Sequence, residues 1–99
     1  MTINIQYLHM PISGSLSKII AKKLEKLEKK FNWILRAEVF LKLENTSLEE
    51  NQICEIQLSL PGPRLFATAK SSNFEKAVVA TIKELEHQLN KRKQKLTSH

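Results

Sequence analysis

Two stretches of alternating sequence decide the fold: ILRAEVFLKLE at residues 34–44 and CEIQLSL at residues 54–60. An alternation of apolar and polar side chains is typical of a β-strand with one buried face. The apolar positions are Leu35, Ala37, Val39, Leu41 and Leu43 in the first stretch and Cys54, Ile56, Leu58 and Leu60 in the second. The segment 45–52 between them is polar and turn-like, so the two strands are predicted to form a hairpin.

Two further strands and two helices are predicted around this hairpin. The short strands cover residues 3–7 and 65–69, and the turn signal Pro61-Gly62-Pro63 precedes the second of them. A first helix carries its apolar stripe at Leu16, Ile19, Ile20, Leu24, Leu27 and Phe31, and a second, with Asn73 as its N-cap, at Phe74, Val78, Ile82, Leu85, Leu89 and Leu96. The predicted order is therefore β-α-β-β-β-α.

This order predicts an α+β fold in which two helices pack on one face of a four-stranded mixed sheet. Strands one and two flank a helix and should be parallel, while the hairpin-connected strands should be antiparallel. The predicted core is Leu24, Leu27, Val39, Leu41, Ile56, Leu58, Val78, Ile82 and Leu85. With 99 residues and no linker-like segment, the chain is predicted to be a single domain over residues 1–99, whose basic end, residues 91–99, projects or frays.

The charge of the chain points to a polyanionic partner. The formal net charge is +6, and residues 61–99 carry eight Lys or Arg against three Glu. No apolar run approaches the roughly 20 residues that span a bilayer, and a membrane-surface helix would need more large aromatic residues beside its lysines. A single cysteine and no secretory leader predict a cytoplasmic protein.

The cations concentrate on the two predicted helices. Lys18, Lys22, Lys26 and Lys30 follow one another at i,i+4 spacing, where each like-charge pair costs roughly 0.2–0.5 kcal/mol, and Lys29 lies in the same arc. The second helix ends with Lys91, Arg92, Lys93 and Lys95, of which Arg92 falls on the apolar stripe itself. Both groups indicate phosphate binding, and the alternative is a solvated charged face.

The open face of the sheet offers a second way to bind RNA. It is predicted to present basic and aromatic residues together, namely Arg36, Phe40, Lys42, Arg64, Phe66 and Lys70. Such a surface can stack bases. An edge contact or a protein interface is the alternative for Phe66.

Residues that could carry catalysis are few. The candidates are His9, His87, His99 and Cys54, the last on an inward strand position, and the chain contains no aspartate and no glycine-rich phosphate loop. None of the candidates has metal-ligand spacing to another, and His87 is predicted to be solvated or to face phosphate. We therefore expect no enzymatic activity, no cofactor, no metal and no small-molecule substrate.

Three segments carry a family resemblance: residues 21–31 (AKKLEKLEKKF), 74–78 (FEKAV) and 85–93 (LEHQLNKRK). With them, nearly the whole chain resembles the short ribosome hibernation-promoting factors of the ribosome-associated inhibitor or sigma-54 modulation family. Residues 39–47 are similar to Bacteroidota-type versions, whereas residues 70–73 stand where many relatives carry acidic residues. Since the sequence ends at His99, we expect the protein to lack the C-terminal dimerisation domain of the long hibernation factors.

The resemblance implies a fold similar to double-stranded RNA-binding domains and a function on the ribosome. The protein would bind the small ribosomal subunit in the channel of mRNA and tRNA, touch 16S rRNA and neighbouring ribosomal proteins, and inhibit translation by occupancy in stationary phase or stress. The candidate RNA-binding residues are Lys18, Lys22, Lys26, Lys29, Lys30, Arg64, His87, Lys91, Arg92, Lys93 and Lys95. Off the ribosome we expect a monomer. The alternative function is a general double-stranded RNA-binding module without ribosome specificity.

Overall fold

The computed structural model describes residues 1–44 and 51–97, with side chains as far as Lys95. Its elements follow the predicted order: β1 (Thr2–Leu8), α1 (Gly14–Lys30), β2 (Arg36–Leu43), β3 (Gln52–Ser59), β4 (Leu65–Ser71) and α2 (Phe74–Thr97). Most of the predicted turn over residues 45–52, the side chain of Leu96 and His99 lie outside the described residues.

The four strands form one mixed sheet in the order β1-β2-β3-β4. β1 and β2 are parallel and the other two pairs are antiparallel, as the connections predicted. One row across the sheet aligns Ile5, Val39, Ile56 and Ala67, and this row belongs to the face that is buried in the core. Both helices pack on that face, which confirms the predicted α+β architecture.

Each helix begins at a polar cap. The Ser13 hydroxyl accepts a hydrogen bond from the Leu16 amide at 3.3 Å, and the Asn73 side chain accepts one from the Lys76 amide at 3.0 Å. These bonds satisfy amides that have no partner within the first helical turn. Tyr7 on β1 ties the start of α1 to the sheet, because its hydroxyl donates to the Ser13 carbonyl oxygen at 2.8 Å.

The core contains eight of the nine residues predicted for it. Ile82 is the exception, because it lies on the flank of α2 that faces α1 and is only partly buried. Two small residues on α2 that were not predicted, Ala77 and Thr81, are fully buried instead. Their short side chains let the helix lie close to the sheet.

Two leucines predicted to face the core are exposed. Leu35 is 62% exposed, because β2 begins at Arg36 and the alternation does not extend back to residue 35; Ile34 is buried in its place. Leu43 is 45% exposed at the last position of β2. Only the central inward positions of the strand therefore lie under the helices.

The one buried polar side chain among the described residues, Thr81, is satisfied internally. Its hydroxyl donates to the Ala77 carbonyl oxygen at 2.7 Å and lies 3.3 Å from the Cys54 carbonyl oxygen. Burial raises the pKa of the Cys54 thiol from 9.0 to about 11, against the opposing effect of a hydrogen bond with Thr81. Cys54 is therefore a core residue with an inert thiol, as its strand position predicted.

Truncating Leu85 tests the assignment of the core. Leu85 is fully buried, so Leu85→Ala should lower the free energy of unfolding by roughly 2–5 kcal/mol. Leu35→Ala removes the same atoms at an exposed position and should change it by less than about 0.5 kcal/mol. Urea denaturation of both variants measures this difference, and equal effects would show that the core is misplaced.

Alkylation of Cys54 tests whether the core shields this thiol from solvent. The thiolate is the reactive species, so at about pH 8 a buried thiol with a raised pKa should react more than about tenfold more slowly than in the denatured chain. Iodoacetamide labelling with and without denaturant, read by mass spectrometry, gives the two rates. Similar rates would mean that the thiol is accessible in the native protein.

Candidate nucleic-acid interface

A groove of about 250 Å³ runs between the two helices. Its floor is apolar and its rim carries long charged side chains, and the lining residues are Lys23, Lys26, Leu27 and Lys30 from α1 with Val79, Ile82, Lys83 and Glu86 from α2. We call this feature the α1–α2 groove. It forms because each helix turns its apolar stripe to the sheet, so the polar flanks of the two stripes face each other.

The rim of the α1–α2 groove is strongly positive. Four lysines stand against one carboxylate, Glu86, which pairs with Lys30 at 3.2 Å across the two helices. Both partners of that pair are substantially exposed, so the pair contributes less than about 1 kcal/mol and can open at little cost. Within the described part of the chain, no carboxylate pairs with Lys23, Lys26 or Lys83.

The positive track continues toward the start of α2. A second depression shares Val79 and Lys83 with the α1–α2 groove and adds the side chains of Lys76 and Glu75. A phosphodiester chain that followed both depressions would meet five lysine ammonium groups against two carboxylates, those of Glu75 and Glu86. The arrangement therefore suits an extended polyanion better than a compact ligand.

The lysines of the predicted α1 ridge divide between two surfaces. Lys26 and Lys30 line the α1–α2 groove, whereas Lys18, Lys22 and Lys29 lie on the outer, exposed side of the helix. The ridge is therefore a broad basic surface in which only two of the five predicted residues face α2.

The candidates near the end of α2 form a separate group. Lys91, Lys93 and Lys95 are exposed, and none of them lines the α1–α2 groove. His87 is also exposed, and Arg64 is exposed in the turn before β4. The structure thus brings the candidates together in two regions, the two-helix surface and the C-terminal end of α2.

Arg92 contacts the turn that precedes β4. Its guanidinium donates hydrogen bonds to the carbonyl oxygens of Pro61 at 3.2 Å and Pro63 at 2.8 Å. RNA binding by Arg92 stays a prediction, but the structure gives this side chain an intramolecular partner that the sequence did not indicate.

Three lysines that line the α1–α2 groove or the second depression were not among the predicted residues: Lys23, Lys76 and Lys83. Lys23 lies three residues before Lys26 and seven before Lys30, on one flank of α1. That spacing is visible in the sequence. The sequence does not show that Lys23 lines the groove, because this depends on which flank of α1 meets α2.

The open face of the sheet carries nearly balanced charge. Each of its three cations lies near a glutamate: Arg36 pairs with Glu38 at 2.6 Å, Lys42 with Glu55 at 3.1 Å and Lys70 with Glu44 at 3.5 Å. Arg64, predicted to lie on this face, instead precedes β4 in the turn. Phe66 is 49% exposed, and base stacking on it stays a prediction, but the glutamates make this face less suited to phosphate than the helix face.

The described residues contain no group of three or more His, Cys, Asp or Glu side chains placed to hold a metal ion. No helix among the described residues is long and apolar enough to cross a membrane.

Comparisons with known proteins agree with the fold. The family model described as sigma 54 modulation protein / S30EA ribosomal protein matches residues 3–97. A ribosome hibernation promoting factor from Pseudomonas putida is 30% identical over 98 residues, which cover 99% of this chain and 92% of the relative. The ribosome hibernation promoting factor of Escherichia coli strain K12 is 29% identical over 99 residues, covering 100% of both chains.

Solved structures show the same architecture. A ribosomal subunit interface protein from Coxiella burnetii matches with a TM-score of 0.84 and 26% identity, covering 94% of this chain and 98% of that chain. The N-terminal domain of Thermus thermophilus Protein Y has the same fold, with a TM-score of 0.78 at 24% identity over 92% of this chain and 98% of that one. The particular likeness to Bacteroidota-type versions stays a prediction. The match of the family model over almost the whole chain, together with the relatives aligned from end to end, shows that this chain belongs to the sigma 54 modulation protein / S30EA ribosomal protein family.

Proposed function

We propose that this protein is a ribosome hibernation factor that binds the small ribosomal subunit and inhibits translation by occupying the channel of mRNA and tRNA. The observation that carries the proposal is the α1–α2 groove, whose rim presents four lysines against one glutamate. Relatives that bear the name ribosome hibernation promoting factor align over the same residues. Occupancy would occur in the cytoplasm during stationary phase or stress.

The chemistry of the surface favours contacts to RNA backbone over base reading. Lysine ammonium groups are point charges that bind phosphate without the planar geometry of a base edge. A protein that neutralises several phosphates binds with a strongly salt-dependent affinity, because it releases condensed counterions. Lysines on two helices held by one sheet can therefore recognise folded rRNA through its shape and charge.

Inhibition by occupancy needs no catalysis. Cys54 carries the one thiol in the sequence; it is buried, and burial raises its pKa to about 11. His87 is exposed on the outer side of α2. We propose accordingly that the protein acts as a reversible steric block, as one copy per small subunit, and that it is monomeric in solution.

Neutralising the α1–α2 groove tests the proposed interface. The triple variant Lys23→Gln, Lys26→Gln, Lys83→Gln removes three positive charges and should weaken binding to purified small subunits. The slope of log affinity against log salt should become shallower by roughly 2–3, since each of the three lost phosphate contacts contributes roughly 0.7–0.9. Sedimentation of small subunits with the protein across a salt series measures both quantities.

A matched control removes three positive charges from the opposite face. The variant Arg36→Gln, Lys42→Gln, Lys70→Gln has the same net charge as the groove variant but changes only cations that already pair with glutamates. It should bind small subunits nearly as well as the unmodified protein. Equal loss in the two variants would show that net charge, and not the α1–α2 groove, drives binding.

The mode of inhibition is tested by titration into an in vitro translation system. A steric block should inhibit in proportion to the number of ribosomes occupied, and inhibition should diminish when initiation complexes are assembled first. Inactivation at far fewer copies than ribosomes, growing with time, would instead indicate an enzyme. Isolated duplex RNA should compete poorly; strong competition would favour a general duplex-binding module.

A further inference from the structure

Arg92 occupies a position where an apolar side chain is expected. It follows Leu85 by seven residues and Leu89 by three, so it continues the stripe by which α2 packs on the sheet. Leu85 and Leu89 are fully buried and Arg92 is half-buried. The Arg92 side chain therefore projects from the sheet-facing side of α2 toward the turn between β3 and β4, residues 60–64.

The β3–β4 turn lacks hydrogen-bond donors that Arg92 supplies. Of Pro61, Gly62 and Pro63, only the glycine has a backbone N–H, because the proline ring removes the donor. The Arg92 guanidinium donates through Nη1 to the Pro61 carbonyl oxygen at 3.2 Å and through Nη2 to the Pro63 carbonyl oxygen at 2.8 Å. Lysine cannot reproduce this geometry, because it carries all its donors on one nitrogen.

Gly62 gives a second and independent indication that the turn and Arg92 fit each other. Its φ of +93° is a conformation that side chains disfavour. A Cβ atom at this position would lie 3.3 Å from Arg92 Nη1. The absence of a side chain lets the guanidinium lie against the turn.

We infer that Arg92 is a positioning residue for the RNA-binding end of α2. Arg92 joins α2 to the β3–β4 turn. Lys91 is next to Arg92 in the chain and Arg64 is next to Pro63, so the contact holds these two cations in one rigid basic surface. Both of these cations are exposed. The inference rests on the proposed function, because the surface that Arg92 orders is one that would bind rRNA.

Substitutions that separate charge from geometry test this role. Arg92→Lys keeps the charge and loses the two-carbonyl contact, whereas Arg92→Gln loses both. For a positioning residue, both variants should weaken small-subunit binding by a similar factor of about ten, the scale of one lost charge-assisted hydrogen bond. Gly62→Ala, which changes no charge, should also weaken binding, because it strains the turn whose carbonyl oxygens accept the Arg92 hydrogen bonds.

Lys91→Gln serves as the reference for a lost phosphate contact, and its salt slope should become shallower by about 0.7–0.9. The inference is overturned if Arg92→Lys binds like the unmodified protein while Arg92→Gln shows the same loss of slope as Lys91→Gln. It is also overturned if Arg92→Gln binds as tightly as the unmodified protein.

Hydrogen exchange on the isolated protein tests the contact without the ribosome. In Arg92→Lys the backbone amides of residues 91–94 should exchange faster, while those near Leu85 stay protected by the core. Unchanged exchange at residues 91–94 would contradict the inference even if binding were altered. If the unmodified protein failed to bind small subunits, the proposed function would fail, and this measurement would still report on the Arg92 contact.

Discussion

The sheet has only one face that can be buried, and the rest of the molecule follows from that constraint. Ala37, Val39 and Leu41 on β2 and their partners on β3 and β4 point to one side, whereas the other side carries paired charges. Both helices must therefore cover the same face. Two amphipathic helices lying side by side bring their polar flanks together, and a groove between them is unavoidable.

In this chain the flanks that meet are rich in lysine. Like charges gathered on neighbouring helices are unfavourable for stability. The one ion pair that the described residues form across the groove, between Lys30 and Glu86, offsets little of that repulsion because both groups are exposed. A binding partner with regularly spaced negative charge would relieve the repulsion. The same feature that weakens the isolated fold therefore favours association with RNA backbone.

Much of the fold could be predicted because it depends on local periodicity. The alternation in β2 and β3 and the stripes of both helices predicted the element order and eight of nine core residues. Leu35 was misplaced because alternation alone does not mark where a strand begins. Thr81 was missed because a polar side chain was not expected in the core; its hydroxyl is satisfied by the Ala77 carbonyl oxygen one helical turn earlier and by the Cys54 carbonyl oxygen, which only the packed structure brings near.

The candidate site was harder to predict, since it depends on which surfaces become neighbours. The lysine runs at residues 18–30 and 91–95 are visible in the sequence, but the contributions of Lys23 and Lys83 require knowing which flanks of α1 and α2 meet. The partner of Arg92 lies about thirty residues away, in a turn whose lack of amide donors becomes important only when α2 passes over it.

The most direct test of the central claim, that the helix face and not the open sheet face contacts rRNA, is tethered hydroxyl-radical cleavage on the small subunit. An iron chelate would be attached through Lys83→Cys on the α1–α2 groove and, in a second protein, through Thr68→Cys on the open face; Cys54 is buried and should stay unmodified. We expect strong, localised cleavage of 16S rRNA from position 83 and little from position 68. Stronger cleavage from position 68 would contradict the assignment of the RNA-binding face.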